Sequence, residues 1–268
     1  MTTAERAPAP APPTPASAYV SVRGVTKRFR RGRRQVVALE GVDLDIPRGG
    51  FVSVLGPSGC GKSTLLAIVA GLLDPDAGQV MIGGETPHQA RQARQVGLVP
   101  QNPALLPWKT VRRNVTLLTE VAGRADHAGV DDLLASVGLG DVADAHPSQL
   151  SGGMQQRVSL ARAFALRAPL LLMDEPFASL DEIRRTDMRY LLMKLWLDTN
   201  ATVIFVTHDI DEAVVLSNRV VVMAGQPGQV VADHSIDLPR PRMPGIEDTP
   251  EFRHHTARLR AALRSARS

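Results

Sequence analysis

Short apolar runs bounded by turn residues stand out along this chain. Residues 51–55, 170–173 and 202–206 are short runs that are apolar except for Ser53 and Thr202, which is typical of buried strands. Further β-prone or apolar runs lie at residues 19–22, 36–39, 42–46, 79–82, 96–99, 219–223 and 229–234. The first of them, at 19–22, is of the kind expected in an edge strand.

The middle of the chain has a different spacing. From Thr110 to about Arg167 the apolar residues recur at helical intervals, and strand signals are absent. Residues 102–167 are therefore predicted to form a helical subdomain inserted between strands. Other helices are predicted at residues 62–73, after Asp181, and at 250–264, where the helix is rich in arginine.

Composition places the chain among globular proteins. Of its 268 residues, 44% are apolar and 22% charged, close to the averages for soluble domains. The longest apolar run, residues 65–73, is far shorter than the about 20 residues of a membrane span. Residues 1–18 are rich in Pro and Ala, lack the apolar segment of a secretory signal, and are predicted to form a disordered leader.

The charge balance bears on possible partners. A pI near 9.7 suggests nucleic acid as a partner. The net charge is only +4, however, and the basic residues cluster at 27–34 and near the C-terminus. Local clusters of this kind favour contact with solvent, lipid headgroups or a protein partner over recognition of bases, so nucleic acid is not the expected partner.

Residues 56–64 read Gly-Pro-Ser-Gly-Cys-Gly-Lys-Ser-Thr and match a phosphate-binding loop. They lie between a predicted strand and a predicted helix, which is the context that distinguishes the motif from a chance glycine-rich turn. Backbone amides of such a loop cradle phosphates, Lys62 reaches the β- and γ-phosphates, and the Ser63 hydroxyl binds Mg²⁺. The predicted nucleotide-binding residues of the loop are Gly56, Pro57, Ser58, Gly59, Cys60, Gly61, Lys62, Ser63 and Thr64.

The fold class that follows is α/β. It consists of a phosphate-loop NTPase core with a mixed sheet, an N-terminal antiparallel β region and an inserted α-helical subdomain. Ligands of an open α/β sheet bind beyond the carboxyl ends of its strands, which is where the phosphate loop lies. Polar residues at other strand ends are therefore candidates for the same site.

Three residues meet that condition. Asp174 and Glu175 follow one predicted strand, and His208 follows another. Asp174 is predicted to help hold Mg²⁺, Glu175 to orient and deprotonate an attacking water, and His208 to sense the γ-phosphate. The alternatives are that the two carboxylates cap the next helix and that His208 is a structural residue.

Other positions keep two interpretations. Phe29 either stacks on an adenine or lies under a hairpin. Ser151 precedes Gly152 and Gly153 at a predicted helix N-terminus, which is either a second phosphate site or an ordinary cap. Cys60 either faces the nucleotide, so that alkylation would block ATP binding, or is a small residue with no redox role.

Taken together, these elements resemble the ATP-binding-cassette (ABC) ATPases. The resemblance spans residues 19 to about 235, and the Leu-Ser-Gly-Gly element distinguishes this family from other phosphate-loop proteins. The matching elements, in the family's order, are the phosphate loop, Gln101, Leu-Ser-Gly-Gly-Met-Gln-Gln-Arg at 150–157, Leu-Leu-Leu-Met-Asp-Glu-Pro at 170–176, Ser-Leu-Asp at 179–181 and His208.

The resemblance implies a role for each element of the site. ATP and Mg²⁺ are the implied cofactors, and Phe29 would stack on the adenine. Gln101, which by itself could be a solvated loop residue, would join the metal site. The implied Mg²⁺ ligands are Ser63, Gln101 and Asp174. The implied catalytic residues are Lys62, Gln101, Glu175 and His208.

The resemblance also implies partners. Ser151, Gly152 and Gly153 would contact ATP bound to a second copy of the chain in a head-to-tail dimer, with Asp181 at the junction. ATP would close this dimer and hydrolysis would open it. The dimer would energise separate transmembrane permease subunits at the cytoplasmic face of the membrane and would act indirectly with an extracytoplasmic solute-binding protein.

A narrower resemblance, at residues 101–108, 114–115 and 237–242, is to the nitrate, sulfonate and taurine importer ATPases. Departures from that pattern are Pro100, Ala178 and the arginine run at 30–34. The implied layout is an ATPase domain at 19–237 and a basic C-terminal tail with a helix at 238–268. The competing functions are a soluble cassette ATPase acting on nucleic acid, an exporter subunit and a small-molecule kinase.

Overall fold

The computed structural model describes residues 18–32, 34–123 and 129–266. Residues 1–17 of the predicted leader and Arg33 of the arginine run lie outside them. The strands are β1 Ala18–Arg31, β2 Arg34–Pro47, β3 Phe51–Leu55, β4 Ala77–Ile82, β5 Val96–Val99, β6 Leu170–Asp174, β7 Thr202–Thr207, β8 Arg219–Ala224 and β9 Gln229–Ser235. The α-helices are α1 Lys62–Val69, α2 Pro87–Gln92, α3 Val111–Val115, α4 Leu117–Val121, α5 Val130–Ser136, α6 Gly152–Ala165, α7 Glu182–Leu197, α8 Ile210–Leu216 and α9 Pro250–Ser265.

The larger sheet has the strand order β5-β6-β7-β3-β8-β9. Its strands run parallel except for β9, which pairs antiparallel with β8. The central strands are buried along their whole length because helices cover both faces, as their continuous apolar sequence predicts. The predicted mixed α/β fold class is confirmed.

The smaller sheet is antiparallel, with the order β2-β1-β4. The prediction that residues 19–22 form an edge strand is wrong, because β1 lies in the middle and continues to Arg31. The runs at 36–39 and 42–46 form one strand, β2. A bulge at Gly41 joins the two runs into one strand by absorbing a shift in the pairing register with β1. At the bulge the φ of Gly41 is 61°, and its amide donates to Thr26 Oγ1 at 3.1 Å.

Helix ends follow local capping chemistry. Thr110, Ser151, Asp181 and Asp209 each accept a backbone N–H with their side chain at the start of a helix. Helix α1 ends at Val69, earlier than predicted, because Gly71 takes a φ of 65° and its amide turns back to Ile68 O at 3.0 Å. Helix α2 was not predicted.

No helix among the described residues is long and apolar enough to span a membrane.

The C-terminal segment packs against the core. Phe252, Thr256 and Leu259 are buried on one face of α9, which contacts α8, β8 and β9. Arg242 is only 1% exposed, and Tyr190 Oη on α7 lies 2.9 Å from both carboxylate oxygens of Glu247. The segment that contains Arg242, Glu247 and α9 therefore packs against α7, α8 and the strands β8 and β9.

Candidate active site

The phosphate loop connects the end of β3 to the start of α1 at the centre of the larger sheet. A Cβ atom at Gly56 would lie 2.2 Å from Met223 O, so no side chain fits there. Gly61 has a φ of 92°, a left-handed conformation that suits glycine and places the loop directly on the N-terminus of α1. The loop amides and the helix N-terminus thus form an anion-binding surface.

Lys62 is the first residue of α1 and is 4% exposed. Its Nζ donates to Gly56 O at 2.9 Å and Pro57 O at 3.0 Å, and it lies 3.4 Å from Glu175 Oε1. The ammonium group is therefore held inside the loop, next to a carboxylate. A phosphate group entering the loop would find a buried, oriented cation.

Ser63 and Asp174 bring hydroxyl and carboxylate oxygens together beside Lys62. Ser63 Oγ donates to Asp174 Oδ1 at 2.9 Å. Burial, with a smaller contribution from Glu175, raises the pKa of Asp174, while the Ser63 bond and Lys62 oppose the rise. Hard oxygen ligands in this arrangement suit Mg²⁺, which binds through one or two carboxylates and substrate phosphates.

Glu175 and His208 follow two neighbouring strands, β6 and β7. Glu175 has a φ of 43°, rare for a residue with a side chain, and its amide donates to Val206 O at 3.0 Å. His208 is half exposed, and its Nδ1 lies 2.9 Å from Glu175 Oε2. The strained backbone at Glu175 accompanies a carboxylate that faces both His208 and Lys62, so an ammonium, a carboxylate and a ring nitrogen lie together at the sheet edge.

Two predicted residues, Phe29 and Gln101, have no hydrogen bond to this cluster among the described residues. Phe29 is 41% exposed on β1, opposite Val36. Ala38, two residues along β2, has its carbonyl oxygen 2.8 Å from where a Cβ of Gly61 would lie. The hairpin therefore packs on the loop at Ala38, while the partly exposed Phe29 ring lies 5.8 Å from Lys27 Nζ of the same hairpin. Gln101 is exposed in the loop after β5, with no hydrogen bond to the cluster among the described residues.

Cys60 points away from the phosphate-binding surface. Its side chain is 2% exposed and belongs to the core cluster formed by β3, α1 and the smaller sheet. A Cβ on Gly56 would lie 2.9 Å from Cys60 Sγ. Burial raises the pKa of the thiol, and Lys62 opposes the rise. This geometry agrees with the interpretation of Cys60 as a small packing residue.

A second polar surface lies at the starts of α6 and α7. Ser151 caps α6 through Met154 N at 3.3 Å, and Asp181 caps α7 through Arg184 N at 3.0 Å. A Cβ on Gly153 would lie 3.6 Å from Arg184 Cδ, whereas one on Gly152 would meet nothing within 4 Å. Ser151, Gly152 and Asp181 are exposed. Among the described residues, none of these groups is hydrogen-bonded to the phosphate loop of the same chain.

The sequence did not reveal several residues around the site. Gly228, in the turn between β8 and β9, packs so tightly on the phosphate loop that a Cβ there would lie 1.9 Å from Cys60 O. Arg185 and Glu212 contact the residues on either side of His208. No motif marks these three, although Gly228 follows a proline in a short turn, which is the one local signal available.

Comparison with known proteins agrees with this geometry. A family model described as ABC transporter matches residues 39–178. An ATP-binding protein of Brucella abortus biovar 1 is 48% identical over 219 residues, which are 81% of this chain and 84% of that protein. The aliphatic sulfonates import ATP-binding protein of Bacillus cereus is 39% identical over 234 residues, which are 87% of this chain and 92% of that protein.

Two further matches extend the comparison. The bicarbonate transport ATP-binding protein of Synechococcus elongatus is 43% identical over 233 residues, which are 84% of this chain but 35% of that longer protein. A solved dimeric ATP-binding cassette, in a post-hydrolysis state with ADP and Pi bound, is 34% identical. It matches 82% of this chain and 100% of its own, with a TM-score of 0.72.

Proposed function

This chain belongs to the ABC transporter family and is an ATPase, and on that premise we propose that it energises a membrane importer for a small solute. The observation that carries the hydrolytic part of the proposal is the position of the Glu175 carboxylate, 3.4 Å from Lys62 Nζ and 2.9 Å from His208 Nδ1. The import part is supported by relatives named for sulfonate import and bicarbonate transport. This arrangement suits hydrolysis because it combines a phosphate-binding cation with a base and a hydrogen-bonding ring.

In the proposed mechanism each side chain has one task. Lys62 exchanges its bonds to the Gly56 and Pro57 carbonyl oxygens for the β- and γ-phosphates of ATP. Glu175 accepts a proton from the attacking water, and His208 holds that water and the γ-phosphate in line. Mg²⁺, when bound, would neutralise phosphate charge. The residues proposed to hold it are Ser63, Asp174 and Gln101.

The remaining site residues are proposed to act on a second copy of the chain. Ser151 and Gly152 are exposed and Gly153 is half-buried at the N-terminus of α6, where backbone amides attract anions. Among the described residues none of them is hydrogen-bonded to the phosphate loop of the same chain, and we propose that the ATP they contact is bound by a partner chain. Asp181 would lie at the junction, and Phe29 would stack on the adenine. The dimeric solved relative supports this arrangement.

A permease helix is the proposed occupant of a groove between the larger sheet and the helical region. The groove has a volume of about 270 Å³ and a mostly apolar lining that includes Leu98, Leu118 and Leu166. Leu72 and Val121 at its edge are more than half exposed. Because the groove joins the end of α1 to α4, a helix seated there would sense movements of the phosphate-loop helix. We propose that this contact with a permease holds the chain at the cytoplasmic face of the membrane.

The proposed solute is small and is chosen by other subunits. Two relatives are named for bicarbonate and aliphatic sulfonates, both small oxyanions. The sequence at 237–242 favours the same group of importers, which extends to nitrate and taurine. An extracytoplasmic binding protein and the permease would select the solute, since the site described above contacts ATP alone.

The test combines hydrolysis with partner capture. Glu175→Gln should retain ATP binding and lose at least 100-fold in kcat, measured as phosphate release, because the base is removed while the loop is intact. The same variant, trapped with ATP, should recover a multi-span permease from membranes, and recovery should fall without ATP. Full hydrolysis by Glu175→Gln would refute the catalytic assignment, and recovery of ribosomes or DNA with no membrane protein would refute the transporter assignment.

A further inference from the structure

Arg185, in the first turns of α7, contacts two loops of the active site at once. Its Nη2 donates to Leu180 O at 3.0 Å, in the segment 175–181 that begins with Glu175 and ends with Asp181; we call this segment the junction loop. Its Nη1 donates to Asp209 Oδ2 at 3.3 Å, directly after His208. The same nitrogen lies 3.4 Å from Glu182 Oε2. One guanidinium therefore bridges the junction loop and the His208 loop.

The residues on both sides of His208 are fixed through this bridge. Asp209 Oδ1 caps α8 by accepting from Asp211 N at 2.8 Å and Glu212 N at 3.0 Å. On the other side, Thr207 Oγ1 donates to the buried Glu212 Oε2 at 2.5 Å. Glu212 Oε1 lies 3.7 Å from Arg185 Nε. Movement of Arg185 would consequently disturb the backbone that carries the His208 ring.

These contacts close a ring through the catalytic base. His208 Nδ1 meets Glu175 Oε2, Glu175 starts the junction loop, Leu180 in that loop meets Arg185, and Arg185 meets Asp209 beside His208. We propose that Arg185 is a positioning residue that couples the junction loop to His208, so that a contact made at Asp181 sets the place of the ring over the γ-phosphate. This inference rests on the roles proposed above for Glu175 and His208.

The chemistry of the side chain fits this task. A guanidinium is planar and donates in two directions, so it can hold a carbonyl on one loop and a carboxylate on another at fixed separation. An ammonium group at the same place is a point charge and would make a good contact with either the carbonyl or the carboxylate, not with both. Arg189, one turn further along α7, is the matched comparison. It is buried and paired with Glu182 at 2.8 Å, and within the part of the chain that the structure describes it has no hydrogen bond to either loop.

The experiment measures kcat and the ATP dissociation constant of the full-length chain. Arg185→Gln should lower kcat about 10- to 100-fold, as expected when a catalytic group is displaced by about 1 Å, and should leave the ATP dissociation constant within about twofold. Arg185→Lys should recover part of the loss. Arg189→Gln should lower the melting temperature without lowering kcat of the folded protein.

Epistasis with His208 separates coupling from general damage. If Arg185 acts through the ring, Arg185→Gln should lower kcat less than about twofold further in a His208→Ala background. Asp209→Asn, which keeps the cap on α8 but removes the charge facing Arg185, provides a second route if Arg185→Gln does not fold. It should lower kcat in the wild-type background and not in the His208→Ala background.

Several results would overturn the inference. They are an unchanged kcat in Arg185→Gln, the same loss in Arg189→Gln as in Arg185→Gln, and an undiminished effect of Arg185→Gln or Asp209→Asn without His208. The proposed function fails differently, because it requires Glu175→Gln and His208→Ala to lower kcat by about 100-fold or more, to a residual rate that can still be measured. If they do and the Arg185 variants do not slow hydrolysis, only the coupling is refuted.

Discussion

Replacement of Arg242 by Met tests how the C-terminal segment is held to the core. Arg242 is 1% exposed, and Nη1 donates to three carbonyl oxygens at the end of α8: those of Val214 at 2.6 Å, Val215 at 2.8 Å and Ser217 at 2.8 Å. Burial lowers the pKa of Arg242 to about 9, so the group is charged at neutral pH. Its charge also faces the negative end of α8.

The size of the effect follows from these bonds. Methionine fills a similar volume but donates no hydrogen bond, so the three carbonyl groups lose their donor. A buried polar group left without a partner costs about 1–3 kcal/mol, and water entering at the helix end would recover part of the loss. We expect Arg242→Met to lower the free energy of unfolding by about 3–5 kcal/mol, a large share of the about 5–15 kcal/mol typical of a domain.

The assay is urea unfolding followed by circular dichroism, with calorimetry as a second measurement. The expected loss corresponds to a melting temperature lowered by roughly 6–20 °C. Arg253→Met, on the exposed face of α9, is the matched control and should change the free energy of unfolding by no more than about 0.5 kcal/mol. A loss below about 1 kcal/mol for Arg242→Met would refute the reasoning, because it would mean that the carbonyl groups find other donors at little cost.

Three further predictions concern the phosphate loop and the His208 loop. Gly228→Ala should lower the free energy of unfolding by about 1–3 kcal/mol and weaken ATP binding, measured by nucleotide titration, because its Cβ would overlap Cys60 O. Cys60 should react with maleimide much more slowly in the native protein than in urea, measured by mass spectrometry, since burial covers the thiol and raises its pKa. Burial raises the pKa of Glu212 from 4.5 to about 7, so the unfolded chain releases this proton at a lower pH than the folded chain does, and stability falls as the pH rises from 4.5 to about 7. Glu212→Gln should remove this fall in the free energy of unfolding, measured by urea unfolding at several pH values.

Each of these predictions has a result that contradicts it. Gly140→Ala is the control for Gly228, since a Cβ there would meet nothing closer than 3.9 Å; equal ATP binding by the two variants would show that the loop tolerates the overlap. Fast native labelling of Cys60 that ATP blocks would place the thiol toward the nucleotide after all. An unchanged pH slope in Glu212→Gln would assign the titration to another carboxyl group.

Local sequence signals were sufficient wherever a single segment determines its own geometry. The phosphate loop is one case, since glycines at Gly56 and Gly61 and an adjacent strand and helix leave little choice of conformation. The caps at Ser151 and Asp181 are another. The apolar runs of β3, β6 and β7 predicted buried strands because no polar residue interrupts a strand covered on both faces, apart from Ser53 in β3.

Signals failed where the geometry depends on distant partners. The short run at 19–22 gave no sign that β1 continues through polar residues, because the pairing with β2 and β4 and the bulge near Gly41 carry it on. Thr86 and Gln89 form a capping box at the start of α2. Only Ala90 of that helix is buried, so the spacing of apolar residues does not predict the helix. The roles of Arg185 and Arg242 depend on acceptors that folding brings together.

The division of the site between two surfaces explains why one chain is insufficient in the proposed mechanism. Lys62, Glu175 and His208 converge at one sheet edge because β3, β6 and β7 are parallel neighbours whose carboxyl ends coincide. The N-terminus of α6 lies in the helical region instead, and among the described residues it is not hydrogen-bonded to the phosphate loop. In the proposed mechanism, ATP bound between the two surfaces therefore joins two chains. In that arrangement Arg185 connects the junction loop, whose Asp181 would contact the partner chain, to the loop that carries His208 beside Glu175. The contact at Asp181 would therefore control both closure of the dimer and hydrolysis.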